Sequence, residues 1–264
     1  MKILLVSSSF YPELSPRSFR ATELAKEFYT QGHEVTVITK HTDGINNLLA
    51  LYPFEIKMWK RHRLPSVPKY NRKPFVLFSR VLSRLLMLFI EYPGIEEMLR
   101  VKKMLKNESK YDLMISFAVP YTTHWGVART EKHPIAKTWV ADCGDPYMFS
   151  RLDSFRKPFY FKFFEVNFCK KCNYISVPFN QMRHQFYPQF ISKIKVIPQG
   201  FSFKEIKICP EPPKNNKPVF IFAGSIIPGK RDLASLLDFL STVKKEFQFI
   251  VYTNQNEWYK RYQE

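Results

Sequence analysis

Glycine is scarce in this chain, with 8 among 264 residues against 19 prolines. That excludes a fibrous glycine repeat and places each remaining glycine where the backbone demands one. Cysteine is also sparse: Cys143, Cys169, Cys172 and Cys209 are too few for a disulfide-rich miniprotein. The start MKILLVSSSF lacks the charged segment, long apolar run and cleavage site of a secretory signal, so reduced thiols and a cytoplasmic location are expected. Cys169-Lys-Lys-Cys172 has metal-ligand spacing, but Cys143 and Cys209 stand apart. With no second matched pair, the reading is two thiols on a helix and no metal. Acidic residues are the minority, 23 against 41 Lys and Arg, a net charge of +18. Residues 1–132 hold 21 basic and 12 acidic side chains and residues 133–264 hold 20 and 11, so each half carries +9 and a basic tail is excluded. An even positive field attracts phosphate-bearing partners: a nucleotide in a cleft, an anionic membrane surface or nucleic acid.

Aromatic residues are plentiful, at 16% with 25 Phe and 14 Tyr, while the hydrophobic share of 45% and the charged share of 24% are ordinary for a globular protein. Wholesale disorder is thereby excluded, and the length corresponds to roughly one to two domains. The apolar run Lys2 to Val6 is followed by Ala21, Leu24, Ala25 and Phe28 at helical spacing, with Ser15 as cap and Pro16 at the first helical position. Gly32 then terminates the helix before the β-branched run Glu34 to Thr39, completing a β-α-β unit. Further strands are predicted at Phe54 to Trp59, Asp112 to Phe117, Lys137 to Asp142, Tyr174 to Val177 and Lys195 to Ile197. Strands interleaved with helices predict an α/β fold with a doubly wound parallel sheet. The first domain is placed at 1–205, a proline-rich linker at 206–218, and the beginning of a second Rossmann-like domain at 219–264. In that second part, strands Val219 to Ala223 and Phe249 to Tyr252 flank a helix over Asp232 to Glu246. Pro74 to Tyr92 is the most hydrophobic stretch, yet Arg80 and Arg84 sit in its middle, which argues against a spanning helix. Two readings remain: a helix packed on the domain with one polar stripe, or an interfacial helix touching anionic lipid.

Four segments, FYPELSPRSFRATELAKEFYTQGHEVTVIT, VPYTTHWGVARTEKHPIAKTWVADCGDPY, VIPQGF and FAGSIIPGKRDL, in this order and spacing resemble family 4 glycosyltransferases of the GT-B fold. The resemblance covers nearly the whole chain. It implies sugar transfer from a nucleotide-sugar with retention and without a metal, in a cleft between two Rossmann-like domains. Many members carry a Gly-Gly pair in the loop after the first strand where Ser15 and Pro16 stand here, and the family's Gly-Arg is Gly224-Ser225. Lys230 matches the family lysine, and Arg231 follows it. The glutamate-rich donor motif and the close of the second domain have no counterpart, so the chain is expected to be C-terminally incomplete.

Ligands of an open parallel sheet sit beyond the carboxyl ends of its strands. Arg17 and Arg20, at a helix N-terminus, are therefore candidates for an acceptor or another anion. Asp142 and Asp145, in ADCGDPY, are candidates to orient the acceptor hydroxyl and accept its proton. The resemblance points to His124 as a hydrogen-bonding partner of the transferred sugar or acceptor, while Glu165 is read as structural. Lys230 and Arg231, with Gly224 and Ser15, are candidates for the donor diphosphate, whose growing charge a fixed cation stabilises. The leading expectation is a transferase using a UDP- or GDP-linked sugar as co-substrate, with no cofactor, acting on a lipid-linked or saccharide acceptor at the inner membrane face. The alternative is a non-catalytic GT-B half that binds an acceptor or partner. No nucleic-acid motif is present, so nucleic acid is not expected as a partner.

Overall fold

A computed structural model describes residues 1–60, 75–130, 135–149, 156–200, 211, 214–227, 229, 231–255 and 257–262. The chain divides into two compact units, Met1–Phe201 and Ser202–Glu264. The first opens with β1 (Lys2–Ser7), α1 (Pro16–Thr30) and β2 (Glu34–Lys40), then α2 (Asn46–Leu51), β3 (Glu55–Trp59), α3 (Phe75–Ile90) and α4 (Ile95–Leu105). It continues with β4 (Tyr111–Phe117), α5 (Thr122–Ala128), β5 (Ala136–Asp142), α6 (Phe161–Lys171), β6 (Tyr174–Val177) and β7 (Ile194–Val196). The seven strands form one sheet in the order β3-β2-β1-β4-β5-β6-β7, and every pair is parallel. This is the doubly wound α/β arrangement expected from the alternation of strands and helices, with its direction of winding reversing between β1 and β4.

β1 shows why the sheet is covered on both faces. Successive side chains of a strand point to opposite sides. Ile3 and Leu5 join Ala21 and Ala25 of α1, whereas Leu4 and Val6 join Val101 of α4 and Trp125 of α5. Helix α1 begins as its residues dictate: the Ser15 hydroxyl accepts from the Ser18 N–H at 3.2 Å and Pro16 occupies the first helical position. It ends in a Schellman turn, with Gly32 at φ +79°, its N–H on Tyr29 O at 2.9 Å and His33 N–H on Phe28 O at 3.0 Å. Helices α4 and α5 cross closely at Gly126, where a Cβ would stand 2.7 Å from the Met98 carbonyl oxygen. The pair Cys169 and Cys172 lies at the end of α6, both thiols free and buried.

Helix α3 departs from the first of its two readings. Its sole buried side chain is Ser79, and Leu77, Phe78, Val81, Leu85 and Phe89 are all at least 45% exposed. The polar residue faces inward and the apolar face outward, the reverse of a helix packed on the domain by its hydrophobic side. No helix among the described residues is long and apolar enough to cross a membrane.

The second unit contains β8 (Val219–Ala223), α7 (Ala234–Ser241) and β9 (Gln248–Tyr252), with β8 and β9 paired in parallel. Helix α7 stops five residues before the predicted end at Glu246. The hydroxyls of Ser241 and Thr242 donate to the carbonyls of Asp238 and Phe239, each at 2.7 Å. They thereby take up acceptors that the next helical turn would have used. Of the expected linker, 206–210, 212 and 213 lie outside the described residues.

Candidate functional site

The carboxyl ends of β1, β4, β5, β6 and β7 and the N-terminus of α1 bound the site in the first unit. Two Arg–Asp pairs dominate it. Arg20 grips Asp142 in a fork, Nε to Oδ2 and Nη2 to Oδ1, both at 2.8 Å, with the side chains 8% and 4% exposed. The Ser176 hydroxyl donates to Asp142 Oδ1 at 2.6 Å, and Arg20 also reaches the carbonyls of Ile197 and Pro198 at 3.3 Å. Arg17 donates to Asp145 Oδ2 at 2.9 Å, with Asp145 half exposed. The Arg17 guanidinium lies directly over Gly144, where a Cβ would come within 1.8 Å of it.

These contacts correct two expectations. Asp142 is not positioned to accept an acceptor's proton, because Arg20 and Ser176 occupy both its oxygens inside the protein. Arg20 is not an open anion site, because its donors are committed to Asp142 and the two carbonyls. Both residues instead fix the turn that presents Asp145. That leaves Asp145 as the exposed carboxylate of the pair of candidates, and Arg17 as the cation beside it. A carboxylate so placed can accept a hydrogen bond from a hydroxyl brought to the ends of β5 and β1. Gln199, which the sequence reading did not single out although it stands in VIPQGF, donates through Nε2 to Pro16 O at 3.1 Å. It ties the segment after β7 to the start of α1. Ser15 caps α1 with its oxygen, as its place before Pro16 predicts.

His124 is the third correction. It sits in α5 as expected, but it is completely buried beneath the carboxyl ends of β4 and β5. Nδ1 lies 2.8 Å from Ser116 Oγ and Nε2 lies 3.5 Å from Cys143 Sγ, while the ring packs against Tyr121 and Phe168. The indole N–H of Trp139 completes the chain by donating to Ser116 Oγ at 2.8 Å. Burial, reinforced by the charge of Arg17, pushes the His124 pKa down to about 3, so the ring is neutral. It supports the floor of the site. Tyr121, packed edge-to-face against that ring, donates its hydroxyl to Asp145 O.

Glu165 has the structural place expected of it: buried in α6, it accepts from the Tyr187 hydroxyl at 2.8 Å and from the Met148 N–H at 3.5 Å. Burial pushes its pKa up to about 7 against the lowering effect of those hydrogen bonds. Beneath the loop after β1, Ser8 donates to Glu97 Oε2 at 2.6 Å and lies 2.9 Å from Thr123 Oγ1. Among the described residues, no group of three or more His, Cys, Asp or Glu is placed to hold a metal ion.

In the second unit, Gly224 follows β8 at φ +146°, and its N–H donates to Tyr252 O at 2.9 Å. Ile227 and Arg231 exchange backbone hydrogen bonds at 3.0 and 2.8 Å, and the Arg231 side chain is exposed. Lys230 lies outside the described residues.

No protein-family model matches the sequence, and no curated protein matches it either. Solved structures match the fold. The lipopolysaccharide outer core galactosyltransferase WaaB superposes with a TM-score of 0.54 at 13% identity, over 99% of this chain and 63% of that one. HepE from Anabaena, solved with UDP and glucose, gives 0.55 at 16% identity over 95% and 60%. UGT89C1 from Arabidopsis thaliana, solved with UDP-L-rhamnose, gives 0.54 at 14% identity over 97% and 69%. The chain thus has the GT-B architecture along its length and spans 63% of the first of these structures.

Proposed function

We propose that this chain is a glycosyltransferase of the nucleotide-sugar-dependent kind, taking a UDP- or GDP-linked sugar and transferring it with retention and without a metal to a saccharide or lipid-linked acceptor in cell-surface polysaccharide or glycolipid synthesis. The observation that carries the reading is the likeness of nearly the whole chain to WaaB, HepE and UGT89C1, two of them solved with UDP or a UDP-sugar. Retention and metal independence rest on the motifs that resemble family 4.

In this reading Asp145 receives the hydrogen bond of the acceptor hydroxyl and Arg17 holds its carboxylate in place. Arg20, Asp142, Ser176 and Gln199 are positioning residues that keep the turn and the start of α1 in register. Arg231 and Lys230, with the loop that begins at Gly224, meet the diphosphate, where charge grows as the glycosidic bond breaks. Calorimetric titration of UDP- and GDP-sugars into the full chain tests the proposal. Saturable binding that Arg231→Ala with Lys230→Ala weakens supports it. A folded chain that binds neither nucleotide sugar but does bind a saccharide acceptor overturns it in favour of an acceptor-binding module.

A further inference from the structure

We infer that the first unit carries a second binding site, for a small molecule with a phosphate group on an apolar body, at the amino ends of its strands, opposite the Asp145 turn. An open cavity of about 1220 Å³ lies there, between the end of α4 and the starts of β4 and β5. Small-molecule sites commonly span roughly 300–1000 Å³, so the space is ample. Strands β4 and β5 lead from this cavity to the candidate functional site, starting at Tyr111 and Ala136 and ending at Phe117 and Asp142. At about 3.3 Å per residue the two ends are roughly 20 Å apart, so one small molecule does not fill both.

The lining has two parts. Its floor is apolar: Leu105, Tyr111 and Ile135 are at most 6% exposed, and Leu99 of α4 stands beside them with 58% of its surface in water. Its rim is cationic. Lys102, Lys103 and Lys106 follow Leu99 at three, four and seven residues and so share its face of α4, and Lys110 comes in the loop before β4. These four lysines are exposed, and none has an ion pair among the described residues. The acidic residues of the lining are already spent. Glu108 accepts from Lys57 Nζ at 2.6 Å and from the Tyr111 hydroxyl at 2.7 Å. Asp112 accepts from Lys137 Nζ at 2.7 Å and from the Lys2 N–H at 2.8 Å. Four cations therefore border an apolar floor without a counter-ion. The negative end of α4 accounts for cations in its last turn, but not for Lys110 or for the floor. A carboxylate brings a single charge to such a rim, whereas a phosphate monoester brings nearly two and three acceptor oxygens. Lysines, as point charges on flexible stems, can converge on it from several directions. An alkyl or aryl group on the same molecule covers Leu99 and the floor. None of this rests on the transferase reading.

Calorimetric titration of octyl phosphate into the full chain tests the inference, with inorganic phosphate, octanol and octanoate as parallel probes. Octyl phosphate is expected to bind saturably at one site, and each of the other three at least about tenfold more weakly, because each lacks the apolar body or the doubly charged head. Lys103→Gln with Lys106→Gln should weaken octyl phosphate at least about tenfold through the loss of two charge-assisted hydrogen bonds. Leu99→Gln should weaken it about fivefold through lost apolar contact. All three side chains are exposed, so an unchanged thermal melt identifies a folded variant. Octanoate or inorganic phosphate binding as tightly as octyl phosphate overturns the inference. So does octyl phosphate binding that survives the lysine substitutions in a folded variant, or no binding at all. Competition between octyl phosphate and UDP-glucose overturns it too, because both would then occupy one site. Neither reading supplies a premise for the other, so the phosphate-ester site and the transferase reading fail separately.

Discussion

Single residues in the site divide by how much of their chemistry is already spent inside the protein. Asp142 and Arg20 are buried and matched to each other, so removing one leaves the other uncompensated. Asp142→Asn should cost about 3–5 kcal/mol of stability, read as a fall in denaturant midpoint. Asp145→Asn removes a half-exposed carboxylate and should leave the midpoint nearly unchanged; on the proposed transferase reading it should lower sugar transfer about 10²–10⁴-fold. Two glycines make a second contrast. Gly126→Ala drives a Cβ into the backbone carbonyl of Met98, which cannot move without shifting α4, and should destabilise by about 1–3 kcal/mol. Gly144→Ala first meets the tip of Arg17, a flexible side chain that can swing away; thermal melts should show little change, and the Arg17–Asp145 pair should be lost. Buried titratable groups add a pH signature. Below pH 4.5 Glu165 is protonated in folded and unfolded chain alike. Between 4.5 and about 7 only the unfolded chain ionises it, so its contribution to stability falls as pH rises through that window. The stability of Glu165→Gln relative to the parent should therefore climb by about 3 kcal/mol from pH 4.5 to 7 in urea titrations. His124 acts in the opposite sense: with its folded pKa near 3 against 6.5, its contribution is lost as pH falls below 6.5.

Secondary-structure elements were legible in the sequence to the degree that their causes are local. The Ser15 cap, Pro16 and Gly32 lie within a few residues of the helix they bound, and α1 runs between them as predicted. Strands β6 and β8 coincide with the predicted runs because β-branched and aromatic residues crowd there between turn residues. The orientation of α3 was not legible, because a helical period fixes which residues share a face but not which face meets the protein. The early end of α7 depends on two hydroxyls turning back onto their own helix, an option that an apolar repeat does not reveal. The two units should also differ in local stability. Ile3, Leu4, Leu5 and Val6 of β1 are wholly buried, whereas β8 and β9 have half-buried or exposed residues throughout. Hydrogen exchange should show amides of β8 and β9 exchanging by local opening well before those of β1 and β4, which wait for global unfolding.

For the molecule as a whole, the fold was readable from the alternation of strands and helices, but the site was readable only in part. The motifs brought attention to Arg17, Arg20, Asp142, Asp145 and His124. What each does depends on partners far away along the chain: Arg20 and Asp142 are 122 positions apart, and Gln199 reaches back 183 to Pro16. No spacing rule could show that one Asp is consumed by an internal ion pair while its neighbour three positions on stays open, nor that α6 closes over His124. The same long range shapes how the chain is made. β1, an interior strand of the sheet, precedes the other strands along the chain and pairs on one edge with β4, where Lys2 meets Asp112 across 110 positions. At ribosomal speeds of about 5–20 residues per second, the segment Ile-Leu-Leu-Val spends roughly 5–20 s with that edge unclaimed. A nascent chain of this design accordingly exposes, during translation, the kind of apolar strand edge that chaperones shield.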